Sequence, residues 1–146
     1  MDYLTFFKLD DDPFRLTPDP EYFFPSQEHN EILNSLNYAI EQKEGFSLVI
    51  GQPGTGKTTI LRILIDHWKD RAEIALVMTP RLQPEEFLQA VLEDLNIKLG
   101  GRSKNEMLKA IRDILLTHAA TGKRIMIVVD EAQILPAETI EELRLL

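Results

Sequence analysis

Cysteine is absent, which removes both a disulfide framework and thiolate metal sites. Positive charge is scarce: 16 Lys and Arg stand against 24 Asp and Glu, for a formal charge of −8. A broad nucleic-acid surface requires a basic patch, so this balance argues against one and leaves open a local patch or DNA contacts made elsewhere in a longer protein. Long hydrophobic runs are also missing. The apolar stretch Ile125–Val129 is far shorter than the ~18 residues of a membrane-spanning helix. Met1-Asp2-Tyr3 lacks the basic start of a secretory signal. His29, His67 and His118 stand at no metal-ligand spacing and read as helix-surface or partly buried residues. No G-x-S-x-G element supports nucleophilic catalysis. What remains is a chain with 44% hydrophobic and 27% charged residues, ordinary for a globular domain, and a soluble cytoplasmic module is expected.

Prolines 13, 18, 20 and 25 are too closely spaced for regular structure, so residues 1–25 read as an N-terminal strap and 26–146 as a core. Ser26 caps a helix to about Lys43, ended by Gly45. Phe46–Ile50 reads as a strand buried on both faces, and a helix follows from Lys57 to Trp68. Glu73–Met78 is the next strand. Pro84 opens a third helix, Ser103 and Glu106 form a capping box for a fourth, and Gly122 closes that one. Arg124–Val129 is a third strand, and a last helix enters near Pro136. Alternation of this kind implies an α/β fold with a parallel sheet covered by helices. The chain ends within an apolar-periodic stretch, Glu141–Leu146, that no Gly, Asn or Pro closes, and this reads as a C-terminal truncation.

Gly51-Gln52-Pro53-Gly54-Thr55-Gly56-Lys57-Thr58 fits the phosphate-loop pattern G-x-x-x-x-G-K-[ST] without departure, between an apolar run and a helix. Glycines allow torsions that turn backbone N–H groups around an oxyanion. The following helix N-terminus adds unpaired donors and positive potential. Lys57 is placed for the β and γ phosphates, the Thr58 hydroxyl for Mg²⁺, and Thr59 for the α-phosphate.

The strand Arg124–Val129 delivers Asp130 and Glu131 at its carboxyl end, where ligands of open parallel sheets bind. Asp130 is expected to hold Mg²⁺, and Glu131 to orient and polarise the attacking water. Asp-Glu in this place, with no D-x-x-G after the metal Asp, favours ATP over GTP.

Asp12-Pro13-Phe14-Arg15-Leu16-Thr17-Pro18-Asp19-Pro20, the phosphate loop, Pro80-Arg81-Leu82, Asp130-Glu131-Ala132-Gln133 and Glu141–Leu146 together resemble the ExeA/GspA-type AAA ATPases, the general secretion pathway protein A group. The resemblance implies a P-loop NTPase of AAA type, a three-layer sandwich with strand order 5-1-4-3-2, of which strands 1–3 would lie here. It also implies that the strap and the first helix wall off the adenine, with Phe14, Arg15, Leu16 and the helix start near His29 as candidates. The missing fourth strand would leave an open slot between the phosphate-loop strand and the Asp130 strand. Gln133 is placed for the γ-phosphate, for a neighbouring subunit, or simply for solvent.

Three functions share these motifs. The first is an ATPase that binds ATP and Mg²⁺, works as a homo-oligomer in the full-length protein, and serves a secretion or envelope apparatus, with any inner-membrane association through segments outside this chain. The second is a DNA-transaction ATPase of transposition or replication-loader type. The third is a nucleotide-gated interaction module with little turnover.

Overall fold

The computed structural model describes residues 2–13, 23–78, 82–97 and 103–145. Its contacts divide the chain into two compact units, Met1–Arg62 and Ile63–Leu146.

The first unit holds two helices and the start of a third. A short helix, α1 (Tyr3–Phe7), begins at Asp2, whose carboxylate accepts from the Leu4 N–H. Nothing in the residue pattern announces it. Helix α2 (Gln27–Gln42) begins at Ser26, as expected. Its C-cap is Lys43 in the left-handed region at φ 59°, rather than Gly45. The Lys43 and Glu44 N–H groups donate to Ile40 and Ala39 and close the last turn before the glycine is reached. Phe46–Ile50, expected as a buried strand, pairs with no strand among the described residues. Phe46, Leu48 and Ile50 are exposed, Ile50 to 84%. Apolar residues form a strand only where neighbours satisfy the N–H and C=O groups on both sides. In the order 5-1-4-3-2 that the resemblance implies, those neighbours would be the fourth and fifth strands, and the sheet among the described residues has two strands, which pair only with each other. Of the strap, Phe14–Tyr22 lies outside the described residues, as do Pro80, Arg81, Gly100 and Gly101.

Helix α3 (Lys57–Trp68) carries a buried stripe at four-residue spacing: Ile60, Leu64 and Trp68. In the second unit, β1 (Ala72–Val77) and β2 (Arg124–Val129) pair in parallel from Ala72↔Arg124 to Val77↔Val129. Between them in sequence come α4 (Pro84–Asp94) and α5 (Lys104–Thr121). Pro84 opens α4, where its missing N–H costs nothing, and Glu86 reaches back to the Gln83 N–H at 2.9 Å. Glu106 does the same for Ser103 at 2.9 Å, and Gly122 ends α5 at φ 75°. After β2 a 3₁₀ turn (Ala132–Ile134) leads into α6 (Ala137–Leu145).

The core of this unit joins Ala75 and Val77 of β1, Phe87, Leu88, Val91 and Leu92 of α4, Met107 and Ile111 of α5, and Leu135. Phe87, Leu88 and Val91 are wholly buried. Thr139 of α6 is also wholly buried, and its hydroxyl donates to the Leu82 carbonyl at 3.2 Å, which satisfies a polar group that would otherwise oppose burial. At the other end, the Arg71 guanidinium lies 4.1 Å from the centre of the buried Trp68 ring and Arg124 lies 5.3 Å from it. The Asp94 carboxylate accepts from the Leu76 N–H at 2.6 Å and so covers part of the unpaired side of β1.

Two outcomes test this packing. Phe87→Ala should lower stability by about 3–5 kcal/mol through lost burial and a cavity, read in urea with the single tryptophan as probe. His118 faces acceptors through both ring nitrogens: the Ile114 carbonyl at 2.9 Å and the Glu73 carboxylate at 3.0 Å. Only the imidazolium donates to both, so its pKa is raised above the ordinary 6.5, chiefly by the hydrogen bond to Glu73 and then by that to Ile114. A raised folded pKa gives stability that is full below about pH 6.5 and is lost as pH rises through the folded value. His118→Gln should therefore flatten the fall in Tm across that window. A His118 ring that titrates below 6.5 in an NMR titration contradicts the assignment.

Candidate functional site

The loop between Ile50 and α3 is shaped by two glycines with positive φ: Gly54 at 78° and Gly56 at 82°. A side chain at either position would be strained. Inside the loop, Thr55 Oγ1 donates to the Gln52 carbonyl at 2.8 Å. A Cβ placed on Gly51 would come within 2.9 Å of that Oγ1, so Gly51 is required by close approach rather than by torsion. The Lys57 ammonium folds back over the loop and donates to the carbonyls of Gly51 at 2.9 Å and Gln52 at 2.8 Å. The loop thus turns these two carbonyls to its own lysine.

Gln52, Pro53, Gly54 and Thr55 are exposed, while Gly56 through Thr59 are half-buried. The first hydrogen bond of α3 runs from the Ile60 N–H to the Gly56 carbonyl at 2.9 Å. Lys57, Thr58 and Thr59 occupy the first turn of a 12-residue helix, where its N–H groups and dipole present positive potential. The Thr55 carbonyl accepts from His29 Nε2 at 3.0 Å, a contact that joins the start of α2 to the loop.

The acidic pair belongs to the second unit. The parallel register brings the ends of β1 and β2 together, and the Asp130 N–H extends the ladder by donating to the Val77 carbonyl at 3.1 Å. Asp130 is half-buried there, at the carboxyl end of the sheet. Its Oδ1 accepts from the Glu131 N–H at 3.0 Å. Glu131 adopts φ 55°, ψ 35°, a left-handed conformation that costs a non-glycine residue on the order of 1 kcal/mol. The Glu131 carboxylate is exposed and accepts from the Gln133 side-chain amide.

Two of these contacts escape the residue pattern. His29 sits at the third position of α2, three residues after Ser26, a spacing that announces a cap and says nothing of Thr55. Gln133, read as a candidate for the γ-phosphate, for a neighbouring subunit or for solvent, is exposed, and its side-chain amide donates to the Glu131 carboxylate. Phe14, Arg15 and Leu16 lie outside the described residues. No group of three or more His, Asp or Glu side chains is arranged to hold a metal among the described residues. No helix among them is long and apolar enough to cross a membrane.

An ammonium over a glycine-turned loop that opens into a helix is the arrangement that defines P-loop nucleotide-binding proteins. Residues 40–146 match the AAA domain family, and the chain belongs to that family. It is 39% identical over 145 residues to general secretion pathway protein A of Aeromonas hydrophila, a match that covers 99% of this chain and 26% of that protein. It is also 30% identical over 131 residues to the ATP-dependent target DNA activator B of Escherichia phage Mu and to that of phage D108, covering 88% of this chain and 39% of each relative. The chain therefore spans about a quarter to two fifths of the length of these relatives. No solved structure matches it significantly. The resemblance to ExeA/GspA-type AAA ATPases is borne out.

The two positive-φ glycines make separable predictions. Alanine at either should destabilise by at least about 1 kcal/mol through torsional strain. Gly56→Ala should cost more than Gly54→Ala, because its Cβ would meet His29 Nε2 at 3.3 Å while nothing lies within 4 Å of the other. Urea unfolding of both variants checks the order, and equal costs would contradict it.

Proposed function

We propose that this chain is the nucleotide module of an ATPase, with ATP and Mg²⁺ held by Gly51, Gln52, Pro53, Gly54, Thr55, Gly56, Lys57, Thr58 and Thr59 together with Asp130. The loop geometry carries the reading. Gly54 and Gly56 turn the backbone, and Lys57 holds the Gly51 and Gln52 carbonyls with an ammonium that can also face a phosphate. The residue types fit the group: backbone N–H donors and a cation for the polyphosphate, hard oxygen from the Thr58 hydroxyl and the Asp130 carboxylate for the metal. Mg²⁺ is usually held by one or two protein oxygens plus substrate phosphates, so no preassembled cage of carboxylates is required. When bound, Mg²⁺ neutralises charge on the phosphate oxygens.

The protein's own contribution is positional and electrostatic. Lys57 supplies fixed positive charge toward the β and γ phosphates, and the first turn of α3 adds its N–H groups. Glu131 orients a water and accepts its proton as the general base. Its left-handed backbone and its contact with Gln133 support a carboxylate set for one task.

The likeness to general secretion pathway protein A favours an energy-transducing role in assembly of a secretion or envelope apparatus. On this reading the complete protein acts as a homo-oligomer in the cytoplasm, associated with the inner membrane through other segments. A second reading, an ATPase that acts on DNA, draws on the likeness to the phage activators.

Lys57→Ala should abolish measurable Mg²⁺-dependent ATP binding in calorimetry. Glu131→Gln in the complete gene product should bind ATP as the wild type does while turnover falls about 10²–10⁴-fold. Wild-type turnover in the Gln variant removes Glu131 from the chemistry. Stimulation of turnover by duplex DNA shifts the assignment to the second reading.

A further inference from the structure

His29 does more than cap the start of α2. Its ring is half-buried, tilted against Phe23 with centroids 5.1 Å apart, and it closes on the phosphate loop. The ring nitrogens are constrained separately. The Ser26 backbone N–H, which can only donate, points at Nδ1 at 3.2 Å, and the Ser26 hydroxyl lies 3.0 Å from the same nitrogen. Nδ1 must therefore present its lone pair. On the far side of the ring, Nε2 lies 3.0 Å from the Thr55 carbonyl, which can only accept. Nε2 must carry the proton. The neutral Nε2–H tautomer satisfies both neighbours, and the opposite tautomer satisfies neither.

The Thr55 carbonyl shares its peptide plane with the Gly56 N–H. A trans peptide directs these groups to opposite sides, so holding the carbonyl on His29 turns the Gly56 N–H away from His29. That peptide precedes the residue whose positive φ admits the chain into α3. Any Cβ at position 56 would lie only 3.3 Å from Nε2, so the ring and the loop are fitted to each other.

We propose that His29 is a positioning residue for the phosphate loop: it fixes the Thr55–Gly56 peptide through Nε2–H and takes its own orientation from the cap of α2 through Nδ1. This deepens the nucleotide reading and rests on it. His29 touches no phosphate in this scheme. It sets the direction of a backbone donor that does.

The test uses neutral substitutions in the complete gene product, with Mg·ATP affinity and thermal stability measured together. His29→Leu removes both ring hydrogen bonds and should weaken Mg·ATP binding about tenfold. His29→Gln restores an acceptor for Ser26 and a donor for Thr55, and should recover affinity to within about threefold of wild type. Ser26→Ala removes the hydroxyl cap but keeps the Ser26 backbone N–H on Nδ1, which still orients the ring, and the Nε2–H contact, so it should lower Tm and leave affinity within about threefold. Wild-type affinity in the Leu variant, failure of Gln to recover it, or an equal loss in Ser26→Ala overturns the proposal. Nitrogen-15 NMR of the nucleotide-free protein reads the ring directly and should show protonated Nε2 and bare Nδ1. The two readings fail separately: wild type that binds no Mg·ATP overturns the nucleotide site, and an Nδ1–H ring overturns the positioning whatever binds.

Discussion

A backbone loop can bind an anion only if its carbonyls face elsewhere. In a free peptide, donors and acceptors alternate in direction, and a polyphosphate approaching them meets oxygen as often as hydrogen. Here three carbonyls of one short loop are taken up by named donors. Gly51 and Gln52 bind the Lys57 ammonium, and Thr55 binds His29. The positive torsions at Gly54 and Gly56 let the chain make those turns without a Cβ clash. Sequence, torsion and charge therefore act on one small piece of backbone, on which the proposed nucleotide site depends.

The second unit solves a different problem. Parallel pairing of β1 with β2 fixes the height of Asp130 on the sheet through its N–H on the Val77 carbonyl. The helices α4 and α5 bury the face of that sheet, and the Thr139 hydroxyl ties α6 to the segment before α4. Glu131 leaves the ladder in a left-handed conformation and is held by its neighbours on either side in sequence, Asp130 through its backbone N–H and Gln133 through its carboxylate.

Much of this is legible in residue order because it is local. Ser26, Pro84, Ser103 and Gly122 mark helix ends by chemistry that acts within four residues, and α2, α4 and α5 begin or end beside them. The phosphate loop is legible for the same reason: its glycines, lysine and threonine answer to torsion and charge inside eight residues. What stays hidden depends on partners distant in sequence. Phe46–Ile50 has the composition of a strand, but a ladder requires a neighbour, and composition does not supply one. His29 looks like a helix-start residue until the fold brings Thr55 to it. Lys43 rather than Gly45 ends α2, because the Lys43 and Glu44 N–H groups satisfy last-turn carbonyls before the glycine is reached, with Lys43 itself taking the left-handed torsion.

The family match and the loop geometry lead to one central claim: these residues hold an adenine nucleotide with its metal. Isothermal titration of ATP into the folded protein, with Mg²⁺ and then with the metal chelated, tests it most directly. The account predicts saturable binding of one ATP per chain that weakens when Mg²⁺ is withdrawn. A folded protein that takes up no ATP in either condition, or binds it with the same affinity in both, would contradict it.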